Sequence, residues 1–96
     1  MKSLLDIKSI LERHKNRLYN NYPIKSMAIF GSYSRSNQKE DSDIDIIVEF
    51  NGNIGIRFVD LADEIEDLLG AKVDLVSRNG IKDRYYQAIN SDLIYV

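Results

Sequence analysis

The sequence contains no cysteine, which excludes a disulfide framework and a cysteine-ligated zinc site. No stretch approaches the roughly 18 apolar residues of a membrane span. The opening residues MKSLLDIKSI mix acid and base within the first turns, unlike a secretory leader. These absences lead us to expect a soluble, cytoplasmic protein with no membrane partner. The basic surplus of a general nucleic-acid binder is missing too: 13 Lys/Arg stand against 15 Asp/Glu, for a net charge of −2, so no direct DNA binding is expected. There is no internal repeat, low-complexity tract or linker. At 96 residues the chain suits one domain and is too short for two, so we expect a single domain over 1–96 with a modest core.

What is present is an ordinary globular balance, 44% hydrophobic and 29% charged, with the charge unevenly spread. Lys2, Lys8, Arg13, Lys15, Arg17 and Lys25 all fall in the first 25 residues, against Asp6 and Glu12. Such a face is either simply solvated or meets an acidic partner.

Ser3 can cap a first helix running to about Tyr19, with Asp6 in the capping-box position. Ile7, Ile10, Leu11 and Leu18 form its apolar stripe, and His14 on that stripe reads as a half-buried structural histidine. Tyr22-Pro23 stops the helix. Ser26 to Phe30 is a predicted strand ending at Gly31, and Ser32 to about Asn37 a turn with room for one helical turn. Asp43 to Phe50 is a second strand, rich in β-branched residues. From about Ile56 to Leu69, Phe58, Leu61, Ala62, Ile65, Leu68 and Leu69 mark an amphipathic helix closed by Gly70; Asp60, Asp63, Glu64, Glu66 and Asp67 form its other face. Lys72 to Val76 is a third strand. A last helix over Ile81 to Ile89 would set Ile81, Tyr85, Ala88 and Ile89 on one face, and Leu93 to Val96 could close the sheet. The order α-β-turn-β-α-β-α-β predicts an α+β (α/β-type) domain, a small mixed sheet with helices packed on one face.

Three features converge on chemistry. Gly31-Ser32 directly follows a strand. Glycine permits a sharp turn and close ligand approach, and the serine hydroxyl with nearby amides can donate to phosphate. A plain turn would use the same residues. Asp43 and Asp45, at i and i+2 of one strand, project from the same side and repel each other unless a cation lies between them. Their hard oxygen ligands favour Mg²⁺ or Mn²⁺. Asp74, between Val73 and Leu75, is a third acid inside an apolar strand, costly to bury alone. If that strand lies beside the second, the three carboxylates could hold two metals about 3.5–4 Å apart, one for each oxygen of an in-line displacement.

Gly31-Ser32, ten residues, then Asp43-Ile44-Asp45 resembles the G-S-x10-D-x-D signature of the DNA polymerase β-like nucleotidyltransferase superfamily. The segment GSYSRSNQKEDSDIDIIV is similar to the minimal nucleotidyltransferase (MNT) branch, whose usual form is GSxARG followed by SDIDL. The likeness in length and element order runs over essentially the whole chain. Ser34 replaces the usual alanine and Ser36 the usual glycine, both small enough for the turn to survive; Arg35 is retained.

The resemblance implies a polymerase β-like fold and a role for each matching residue. Gly31 and Ser32 would hold the triphosphate, and Arg35 would contact phosphate. Asp43 and Asp45 would ligate both metals, two Mg²⁺ with Mn²⁺ as an alternative. Asp74 would help bind one metal and activate the acceptor hydroxyl. Glu40 and Asp41, in the intervening loop, read as solvated. It further implies transfer of AMP from ATP to a hydroxyl, a tyrosine of a partner HEPN-domain toxin, by the antitoxin of a toxin–antitoxin module. Nothing in the chain is left over to grip the acceptor, so a partner is expected to dock, on the basic first helix or on the acidic face of the Phe58–Leu69 helix; homo- and hetero-oligomers both stay open. Two alternatives remain: an antitoxin that neutralises by binding alone, and a plain Mg²⁺/nucleotide-binding module.

Overall fold

The structure is a computed structural model that describes residues 2–96. Its order is α1 (Leu4–Asn21), β1 (Ile24–Phe30), α2 (Gly31–Ser34), β2 (Ile44–Phe50), α3 (Arg57–Leu69), β3 (Val73–Ser77), α4 (Asp83–Ile89), a 3-10 turn (Asn90–Asp92) and β4 (Ile94–Tyr95). The capping box closes at the start of α1: Asp6 N donates to Ser3 Oγ at 3.2 Å and Ser3 N donates to the Asp6 carboxylate at 3.1 Å. These bonds, the backbone one first, hold the Asp6 carboxyl below its usual range. At the other end of α3, Gly70 takes the left-handed conformation, φ 62°, and its N–H reaches Glu66 O.

The four strands form one mixed sheet in the order β3-β2-β1-β4. β1 runs antiparallel to β2 and β4, and β2 runs parallel to β3. The parallel pair is bridged by α3, as a parallel connection requires. Alternate residues of the central strands face opposite ways. Met27 and Ile29 of β1, with Ile44, Ile46, Val48 and Phe50 of β2, meet Ile7, Leu11 and Leu18 of α1 and Leu61, Ile65 and Leu69 of α3 in the main core. His14 is half-buried beside it, as its place on the stripe predicts.

The opposite parity, Ala28, Phe30 and Ile47, forms a smaller cluster with Val76, Ile81, Tyr86, Ile89 and Leu93. The helices are therefore not all on one face: α1 and α3 cover one side and α4 part of the other. The phase of α4 also differs from expectation. Tyr86 packs inward while Tyr85 is 45% exposed and Ala88 is exposed. The helix starts at Asp83, so Ile81 packs from the preceding loop and does not set the helical stripe. The Arg78 guanidinium lies over the Tyr86 ring, 3.8 Å from its centroid, and fixes that choice.

The two charged surfaces expected as docking faces are partly engaged with each other. Arg17 of α1 pairs with Glu64 of α3 at 3.1 Å, and Tyr22 donates to the same carboxylate at 3.0 Å. Glu66 accepts the Val73 N–H at 2.9 Å.

Candidate active site

The α4 side of the sheet carries the acids. Asp45, second residue of β2, shares its parity with Ile47. Its register partners are Phe30 on β1 and Asp74 on β3. Asp45 and Asp74 thus lie directly side by side on adjoining strands, at the end of the sheet where β1 gives way to Gly31. Asp43 precedes the strand and is exposed. Asp74 is exposed as well and so escapes the cost of burial in an apolar run. The reason is topological: β3 is an edge strand, and its side chains keep access to water.

Gly31 is required at its position twice over. Its φ is +74°, and a Cβ there would stand 2.1 Å from Asp45 Oδ2. The Asp45 carboxylate therefore rests on the bare glycine Cα, and any side chain would drive it away. Gly31 and Ser32 open α2, whose first amides receive no side-chain cap among the described residues. Tyr33 is buried in the main core and anchors the turn. Glu40 and Asp41 are exposed, as expected, and with Lys2, Ser42, Asp43 and Lys72 they line an open cleft of about 620 Å³ beside the site, a volume suited to a small ligand or an inserted side chain.

The electrostatics are those of crowded carboxylates. The Asp45 carboxyl is pushed up to about 6, first by burial, then by Asp74 and Asp43, with Arg35 acting in the opposite direction. Among the described residues no three His, Cys, Asp or Glu side chains already converge as a metal cage. The donor chemistry nevertheless fits a divalent ion: three carboxylates supply hard oxygen ligands, and like-charge repulsion within the set is what such an ion relieves. Arg35, expected at phosphate, is ion-paired with Asp92 at 2.9 Å with its side chain 49% exposed. Ser34 donates its hydroxyl to the Asp92 carbonyl. Asp92 was not visible to sequence reasoning. Its partners lie 57 and 58 residues away, and no local pattern marks it.

A nucleotidyltransferase domain family matches residues 11–96 of the chain. The chain belongs to the nucleotidyltransferase family. A Methanocaldococcus jannaschii protein named "putative protein adenylyltransferase" is 51% identical to this nucleotidyltransferase over 98 residues, covering 100% of both chains. The protein adenylyltransferase MntA of Thermococcus cleftensis is 37% identical, covering 100% of this chain and 98% of its own. A solved structure described as a "putative minimal nucleotidyltransferase" superposes with a TM-score of 0.81 at 28% identity, covering 97% of this chain and 95% of its own. The MNT antitoxin in complex with a tri-AMPylated Shewanella oneidensis HEPN toxin gives a TM-score of 0.70 at 24% identity, covering 93% and 70%; that likeness is one of fold. The chain is thus an enzyme of the nucleotidyltransferase class in its minimal, MNT form. Among the described residues no helix is long and apolar enough to cross a membrane.

Proposed function

We propose that this nucleotidyltransferase is a protein adenylyltransferase antitoxin, which transfers AMP from Mg²⁺-bound ATP to a tyrosine hydroxyl of a HEPN-domain toxin. The observation that carries this reading is the placement of Asp45 against Gly31 and in register with Asp74. It sets a carboxylate pair beside a phosphate-type turn. The names of the 51% and 37% identical relatives support protein adenylylation, and the shared fold of the HEPN-bound MNT antitoxin supports the partner.

In this reading Gly31 lets the triphosphate approach the backbone, while Ser32 donates to its oxygens. Asp43, Asp45 and Asp74 would hold the Mg²⁺. When bound, the ions neutralise developing charge on the phosphates. The acceptor oxygen forms a bond to the α-phosphorus, the bond from that phosphorus to pyrophosphate breaks, and the hydroxyl proton passes to Asp74. The cleft beside Asp43 gives the acceptor room to be held in line, and such positioning supplies much of the rate.

The test mixes this protein, ATP and Mg²⁺ with a candidate HEPN partner. Each transfer should raise the partner's mass by about 329 Da, the AMP increment, and Asp43→Asn should give none. If Asp43→Asn neutralises the toxin equally well and the partner's mass never changes, the binding-only antitoxin is the correct account.

A further inference from the structure

The turn before β4 is fastened to the candidate nucleotide turn at two consecutive residues. The Asp92 carboxylate binds Arg35 Nη1 at 2.9 Å, and the Asp92 carbonyl accepts the Ser34 hydroxyl. The Asp92 side chain is the better shielded of the ion pair, 26% exposed against 49% for Arg35. The backbone of this segment is itself held: Leu93 N donates to Asn90 O, Val96 N donates to Met27 O, and Ile94 pairs with Ile29 of β1. Asp92 is therefore a fixed post and Arg35 a long, half-exposed side chain leaning on it.

We propose that Asp92 is a positioning residue of the transfer site, holding Arg35 of the nucleotide turn in place for an incoming polyphosphate. The inference rests on the nucleotidyl-transfer reading above. An arginine free in solvent samples many rotamers and must be ordered when a phosphate arrives; one already held has lost that freedom in advance. The guanidinium has five N–H donors and Asp92 engages it at Nη1, so donors remain for phosphate oxygens. Ser34, where the MNT pattern usually has alanine, adds the second tie, so the same segment fixes the turn's backbone as well as its cation.

The experiment is a double-mutant cycle on ATP affinity, measured by calorimetry with Mg²⁺ on the full chain, without any acceptor. Asp92→Asn keeps the size and the backbone carbonyl that Ser34 uses, so the fold should stay intact, which a thermal melt checks. It should weaken ATP about two- to fivefold, the scale of one partly exposed charged tether. In an Arg35→Ala background the same change should have almost no effect, because there is nothing left to position. Asp92→Glu should recover part of the affinity. Equal losses in both backgrounds would mean that Asp92 acts only as structural support, and the proposal fails. Tighter binding in Asp92→Asn would show that Asp92 competes with the nucleotide for Arg35, and the proposal fails again. If the wild type binds no ATP with Mg²⁺, the transfer reading falls first and this inference with it. Wild-type binding with an unaltered Asp92→Asn removes the inference alone.

Discussion

The two sides of the sheet divide the labour. On the α1/α3 side, β2 presents Ile44, Ile46, Val48 and Phe50, each buried, to two long helices. On the other side the same strand presents Asp45, Ile47 and Glu49, and the short α4 contributes Tyr86 and Ile89 to a smaller cluster around Ala28, Phe30 and Ile47. One strand thus serves stability with one parity and chemistry with the other. A face without the burden of the core can carry repelling carboxylates that a dry interior would expel. The contrast also explains why the Gly31 turn sits where it does. β1 must end beside Asp45 for the glycine Cα to meet its carboxylate, and Phe30, the last residue of β1, pairs with Asp45.

Substitutions on the two faces should therefore move stability in opposite directions. Ile65→Ala, on the fully buried side, should lower unfolding free energy by about 2–5 kcal/mol, the usual cost of a large core truncation, with transfer per folded molecule retained. Asp45→Asn should abolish transfer yet leave the apo protein as stable as wild type or more so, because a raised carboxyl is a destabilised one. Urea titration and the AMP-transfer assay, run on both variants, check this. A strong loss of stability in Asp45→Asn would break the division between the faces.

The pH dependence sharpens the same point. The folded Asp45 carboxyl titrates near 6, above its ordinary value of 3.8, so between those limits the native state binds more protons than the unfolded chain. The contribution of this group to stability is then present at low pH and lost as pH rises through about 6. With the carboxyl partly solvated, screening reduces the effect to about 1 kcal/mol. Urea midpoints of the apo protein should show this component falling from pH 4 to pH 7, and Asp45→Asn should lack it. Saturating Mg²⁺ should also remove it by favouring the ionised form; a slope shared by wild type and Asp45→Asn would assign the effect to other groups.

Much of this was legible because it is written locally. The Ser3–Asp6 box, the i, i+4, i+8 stripe of Leu61, Ile65 and Leu69, the Gly70 cap and the alternation of β2 each depend on residues within two turns of one another. The Gly31-Ser32 and Asp43-Asp45 spacing spans more chain and was readable through its resemblance to the G-S-x10-D-x-D signature. What escaped depends on tertiary placement. Adjacent Tyr85 and Tyr86 are equivalent in a short helical pattern until Arg78 stacks on one of them. Asp74 is exposed because β3 ends up at an edge, a property of strand order and not of VDLVS. Asp92 gains its meaning from two residues more than fifty positions earlier.

The smallest effect concerns the turn that joins the two faces. Ser36, where the MNT pattern usually has glycine, sits at φ 59°, the only non-glycine residue with positive φ among those described. A side chain in the left-handed region costs about 1 kcal/mol relative to glycine, because Cβ crowds the following carbonyl. Ser36→Gly relieves that strain in the folded state but also frees the unfolded chain, which returns part of the gain. The net should be a stabilisation of a few tenths of a kcal/mol, visible as a small rise in urea midpoint with no change in slope. The turn's own bonds, Ser36 N to Tyr33 O at 3.2 Å and Asn37 N to Ser32 O at 3.0 Å, use backbone atoms alone and survive the change. ATP affinity should therefore stay within about twofold of wild type. Ser36→Val, a β-branched residue forced into the same conformation, should instead destabilise the turn and lower affinity. If Ser36→Gly loses affinity as Ser36→Val does, the hydroxyl itself, and not the backbone conformation, is what the turn requires at this position.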